Sequence, residues 1–125
     1  MINRSASAIK RSQKESLLLR TISQLYHQAS RDDVDLQKAY VTRVQLSPSK
    51  TLCTVFFYMA EGKEAFKSIV SKIALYKPSM RKALAHEING RYTCELAFRF
   101  DEQFEKTERI ERLIDSLATE PKTAD

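Results

Sequence analysis

The stretch LYKPSMRKAL, residues 75–84, decides how this chain folds. Upstream of it Phe66, Ile69, Val70 and Ile73 recur at helical spacing, and downstream Met80, Ala83, Leu84 and Ile88 do the same. Pro78 falls between the two runs. A proline lacks the N–H that a helix interior uses, and its ring clashes with the carbonyl four residues back. In a first helical turn the missing N–H costs nothing, and the residue before a proline is pushed away from helical angles. The apolar stripe therefore splits into two helices, EGKEAFKSIVSKIALY and PSMRKALAHEIN, that meet at a corner near Lys77. Gly90, directly after HEIN, is the expected stop of the second helix.

Strands flank this pair. KAYVTRVQL and TLCTVFFYM, separated by the turn SPSK, are rich in Val, Thr, Phe and Tyr and read as an antiparallel hairpin. In the second run Cys53, Val55, Phe57 and Met59 share one face, with Thr54, Phe56 and Tyr58 on the other. After the helices, RYTCELAFRF puts Leu96, Phe98 and Phe100 on one face and Glu95, Ala97 and Arg99 on the other. That alternation predicts a sheet covered on one side only.

Two helices complete the chain. The first, over about residues 8 to 28, carries Leu18, Ile22 and Leu25 on one face, widened by Leu19 and Tyr26. SRDDVDLQ follows it as a loop. The last helix, over about 102 to 117, has the stripe Ile110, Leu113, Ile114 and Leu117 and is acidic elsewhere. The expected fold is α+β, in the order α-β-β-α-α-β plus a C-terminal helix. A single domain over residues 1–117 is expected, with a disordered polar tail, ATEPKTAD, at 118–125.

Composition narrows the function. No apolar run approaches the ~20 residues that span a bilayer. The basic, serine-containing start MINRSASAIKRSQK is faintly like a transit peptide, but the first helical pattern leaves little of it to discard. Cys53 and Cys94 lie apart in β-like runs, so a CxxC site is absent; the pair allows one disulfide, but free buried thiols in a reducing cytosol are the expectation. The net charge of +5 hides an asymmetry: residues 1–100 carry 17 Lys/Arg against 8 Asp/Glu, and residues 101–125 carry 4 against 8. A body so basic suggests a polyanionic partner.

Catalytic patterns are missing. With only Gly62 and Gly90, there is no glycine-rich phosphate cradle. His27 and His86 lie on different helices, without metal-ligand spacing to a second His or Cys. His86 and Glu87 are helical neighbours that point in different directions, and Ser47 and Ser49 have no base or oxyanion partner. Glu102, Glu105, Glu108 and Glu111 form a charged helix face. No enzyme activity and no cofactor or metal site are expected.

The element order resembles the type II KH arrangement, although Tyr76-Lys77-Pro78 occupies the corner where most KH domains carry a GxxG loop. Over roughly residues 8 to 117 the chain resembles the ribosome-binding factor A family, which lacks GxxG as a rule. The likeness is carried by Arg11 in the first helix, by the hairpin VTRVQLSPSKTLCTVFFYM, and by MRKALAHEINGRYTCELAFRFDE. In that last stretch Arg81, Arg91, Glu95, Leu96, Phe98 and Asp101 stand at the family's signature positions. Two positions depart from it: the family commonly has Ala-x-Gly at the corner, and often a proline where this chain has Cys94.

The resemblance implies a non-catalytic, cytoplasmic, monomeric assembly factor. It would bind the immature small (30S) ribosomal subunit and its 16S rRNA, with ribosomal proteins as further partners, and promote maturation and rRNA processing. The alternative is a KH-like protein-interaction module that has lost RNA binding. In a KH-like fold the corner faces the nucleic-acid groove, so Lys77, Arg81, Lys82 and Arg91 are the leading RNA-binding candidates. Lys10, Arg11 and Lys14 of the first helix and Arg43 of the hairpin, beside Lys50, extend the expected surface, with Lys72 one turn before the corner. Tyr40, Phe56 and Tyr58 are expected on the open sheet face.

Overall fold

The two runs around Ser47, Pro48 and Ser49 pair antiparallel, with Ala39 opposite Met59 and Leu46 opposite Cys53. The computed structural model describes residues 2–49, 51–87 and 94–124, with side chains for all of these except 2–8, 87 and 119–124. Its elements are α1 (Ile2–Ala29), α2 (Val34–Gln37), β1 (Ala39–Leu46), β2 (Leu52–Met59), α3 (Lys63–Ala74), α4 (Lys77–Glu87), β3 (Glu95–Phe100) and α5 (Glu102–Ala124). The sheet runs β1-β2-β3, and β3 lies parallel to β2, from Leu52 beside Glu95 to Phe57 beside Phe100. A parallel neighbour needs a crossover, which α3 and α4 supply. This is the α+β architecture expected.

Alternation in β2 builds the core. Cys53, Val55 and Phe57 are fully buried on the face that meets the helices, together with Leu18 and Ile22 of α1, Ile73 of α3 and Leu84 of α4. Phe57 is the centre of that layer. Tyr26 meets its ring edge-on at 5.0 Å and Phe66 stacks at 5.6 Å. Helix α1 lies along β1 and touches α4, while α3 covers β2 and β3. Cys53 and Cys94 are both buried thiols outside any disulfide.

The corner sits slightly earlier than Pro78 suggests. The N–H groups of Leu75 and Tyr76 donate to Lys72 and Ile73, closing α3, and the Tyr76 carbonyl then accepts the Met80 N–H at 2.9 Å to open α4. Lys77 is already helical, with Pro78 second in the helix. The bias of the pre-proline residue against helical angles is a preference, and here the Tyr76–Met80 bond and the burial of Met80 oppose it. At the other end of α3, Gly62 has φ 98°, a left-handed value that a side chain would strain.

Three further differences are local. Helix α1 begins at Ile2 rather than near residue 8. The expected loop SRDDVDLQ contains the one-turn helix α2, because the Asp33 carboxylate accepts the Asp35 and Leu36 N–H groups as an N-cap. Helix α5 runs through the expected disordered tail to Ala124, and no described contact explains that extension. Ile88, Gly90 and Lys50 lie outside the described residues.

Candidate nucleic-acid interface

Helix α4 lays its first turns along β3, and this places the leading cations. The Lys77 ammonium stands 5.2 Å from the centroid of the Phe98 ring, a cation–π contact that fixes an otherwise flexible side chain. One turn on, Arg81 pairs with Glu95 at 3.4 Å across to the start of β3. Lys82, beside it, is exposed and makes no ion pair among the described residues. Arg91 falls outside the described residues. No glycine lets a backbone approach closely at this corner, so recognition here rests on side-chain charge.

The other expected cations do not all join this group. Lys72 turns to α2, 3.0 Å from Asp35 and 3.9 Å from Asp33. The hydrogen bond from Lys72 holds the Asp35 carboxyl below its ordinary range and raises the ammonium in return. Its charge is therefore balanced within the fold, which the spacing of the sequence could not reveal. On α1, Lys10 is exposed while Arg11 and Lys14 are half-buried. Arg11 lines a cleft of about 480 Å³ with Arg43, Leu46 and Pro48, beside Glu15, whose carboxylate accepts the Leu46 N–H at 2.7 Å.

Arg43 lies on the open face of the sheet. Pairing slips between Val41 and Arg43, so Thr42 is bulged and Arg43 comes opposite Phe56. Its Nε donates to Asp101 at 3.0 Å, and its Cζ lies 3.9 Å from the Phe56 ring centroid. Asp101 is 1% exposed and also accepts from the Thr42 hydroxyl at 2.7 Å and the Phe104 N–H at 2.9 Å. Burial pushes the Asp101 carboxyl up, but these hydrogen bonds outweigh it and leave the group below the ordinary carboxylate range.

The open face is less bare than alternation predicts. Phe104, at the start of α5, packs 4.9 Å from Tyr58 and 6.0 Å from Tyr40. Tyr58 is buried in consequence, Tyr40 is about half exposed, and Phe56 is half-buried beneath Arg43. Of the three aromatics expected there, only Tyr40 presents much surface. Arg99, which pairs with Phe56 in register from β3, is an exposed cation that the sequence reading left out. The polar half of the β3 alternation marked it, but only strand order sets it beside Phe56. Among the described residues no cluster of three or more His, Cys, Asp or Glu could hold a metal, and no helix is long and apolar enough to cross a membrane.

Comparison with known proteins agrees with this architecture. The family model of ribosome-binding factor A matches residues 10–114. The chain belongs to the ribosome-binding factor A family. A relative of that name from Rhodopseudomonas palustris strain BisB18 is 32% identical over 95 residues, covering 74% of this chain and 69% of its own. Another, from strain TIE-1, is 29% identical over 106 residues, 83% of this chain and 77% of its own. The crystal structure of ribosome-binding factor A from Thermus thermophilus superposes with a TM-score of 0.57 at 20% identity, covering 72% of this chain and 93% of that one. That likeness confirms the KH-like fold. Membership makes the protein a ribosome-associated factor.

Proposed function

We propose that this chain is a non-catalytic assembly factor that binds the immature small (30S) subunit through its 16S rRNA, promotes maturation and rRNA processing, and acts as a cytoplasmic monomer. The observation that carries the reading is the set Lys77, Arg81 and Lys82 on one helix against β3, in a chain of this family. The Arg81 and Glu95 side chains are largely in water, so their pairing is weak and leaves Arg81 able to exchange Glu95 for a phosphate. Contacts of this kind read charge and shape rather than base sequence. Lys10, Arg11 and Lys14 would extend the contact along α1, and Arg91, between α4 and β3 in the sequence, is a further candidate.

The test is sedimentation of the protein with isolated small subunits at two salt concentrations. Wild type should co-sediment and be released by salt, with affinity falling by about 0.7–0.9 log units per log unit of salt for each phosphate neutralised. Reversing the charge of Arg81 and Lys82 together should abolish co-sedimentation while leaving the circular dichroism unchanged. Co-sedimentation at wild-type level in that variant would remove α4 from the interface. A protein found only in light fractions at low salt would favour a protein-interaction module, for which the exposed stripe Ile110, Leu113, Ile114 and Leu117 on α5 offers a surface.

A further inference from the structure

We infer that the open face of the sheet is a second RNA-contact surface, where an unpaired nucleotide stacks on the Arg43 guanidinium and its phosphate meets Arg99. The inference rests on the RNA-binding reading above, but it concerns the sheet face turned away from α1, α3 and α4, beside the start of α5. Across the sheet the row is Arg43 on β1, Phe56 on β2 and Arg99 on β3, neighbours by register. The bulge at Thr42 is what brings Arg43 into that row.

Arg43 is held as a platform. One face of its guanidinium lies on the Phe56 ring at 3.9 Å and its Nε edge is tied to Asp101 at 3.0 Å. Asp101 cannot easily shift, because it is buried and held by Thr42 and by the start of α5. With one face and one edge engaged, an incoming group meets the outer face of the plane, on a side chain 41% exposed. A guanidinium plane fixed in this way has lost its rotamer freedom before binding, and guanidinium planes stack on unpaired bases.

Charge selects the occupant. Arg99 is exposed and makes no ion pair among the described residues. A groove of about 520 Å³ runs from this row around the free edge of β3 to Lys63 and Lys67 on α3, with Glu102 as its one acidic lining residue. Lys63 is paired with Glu102 at 2.6 Å and Lys67 with Glu64 at 3.4 Å, but both pairs are in water and can exchange their carboxylate for a phosphate. With Arg99, which has no ion pair among the described residues, and aromatic walls, the groove suits a strand that carries a phosphate per nucleotide and a flat base to stack. An acidic peptide would use the charge and leave the stacked plane without a partner.

The test uses the full chain, fluorescein-labelled octaadenylate as the single-stranded probe and anisotropy as the readout. Arg43→Lys keeps the charge and removes the plane, and should weaken binding by about 5- to 150-fold, the range for one lost base stack. Arg99→Ala should lower the salt slope by about 0.7, one phosphate contact on a single strand. Thermal melting of both variants is read alongside, and since Arg99 makes no ion pair among the described residues, its variant should melt like wild type. If both variants bind octaadenylate like wild type while the Arg81/Lys82 reversal loses binding, this inference falls and the α4 reading stands. If the α4 reversal binds normally and the sheet variants fail, the inference stands and the α4 assignment falls. Loss of binding to an octaglutamate peptide, with octaadenylate binding unchanged, would overturn it in favour of a protein partner.

Discussion

Three segments converge on the carboxylate of Asp101: the bulge of β1 through Thr42, the open sheet face through Arg43, and the first turn of α5 through the Phe104 N–H. Because its folded-state pKa is depressed, Asp101 adds stability that is present above its unfolded value, near 4, and lost as pH falls through the lower folded value. Asp101→Asn should therefore cost on the order of 2–3 kcal/mol at neutral pH, the scale of hydrogen bonds to a charged group. Urea titrations should also show the variant losing less further stability than wild type between pH 5 and 3; equal losses would remove Asp101 from the acid response. The thiols give a second residue-scale prediction. The Cys53 thiol is pushed far up by its hydrogen bond with Cys94 and by burial. Neither cysteine should react with a thiol reagent at pH 8 until the protein unfolds, so labelling rate against urea should track the unfolding curve. Burial of both cysteines was legible from their β-like surroundings; their contact was not, because 40 residues and a crossover separate them.

Individual elements show where periodicity informs and where it stops. The stripe on α1 was legible because Leu18 and Ile22 repeat at the helical period and bury against β1 and α4. The stripe on α5 has the same period, yet Ile110, Leu113, Ile114 and Leu117 are 50–62% exposed. A repeat identifies an apolar face without saying what lies opposite. Helix α2 is a single turn, too short to show a period, and its signal in the sequence is the cap, Asp33, ahead of the buried plug Leu36. Asp33→Ala should cost about 1 kcal/mol, the usual value of a lost N-cap. It should also free Lys72 partly from α2, detectable as faster amide exchange at Asp35 and Leu36; unchanged exchange would count against the cap. Phe104, half-buried over Tyr58, docks the start of α5. Its replacement by Ala should cost roughly 1–2 kcal/mol, less than for a fully buried ring, and raise the exposure of Tyr58.

For the molecule as a whole, the layer formed by α1, α3 and α4 on one sheet face makes Phe57 a residue shared by several elements. It touches Tyr26 of α1, Phe66 of α3 and Phe98 of β3. Phe57→Ala should cost about 3–5 kcal/mol, and for a domain this size that is a large part of the total. A variant that kept a cooperative melt at the wild-type temperature would mean the core is organised elsewhere. Charge is distributed by the same architecture. Cations that read in sequence as one surface divide among α4 against β3, the β1 edge with α1, and α2, where Lys72 is balanced by acids. The α4 set was legible because helical spacing and Pro78 placed it beside the corner. Arg99 was not, since only the parallel pairing of β2 with β3 brings it level with Phe56 and Arg43.

The order of the main elements, the break near Pro78 and the buried faces of α1, α3 and β2 around Phe57 were determined by the sequence, and the family was legible by resemblance. The elements follow from short-range physics: periodic burial, the missing proline N–H and the turn chemistry of a few residues. Only the tertiary structure decided which cations stay free, that Asp101 holds Arg43 over Phe56, and that α5 covers part of the open face. Those outcomes depend on strand register and on partners distant in the chain, and a shift of one residue in register would reverse every one of them.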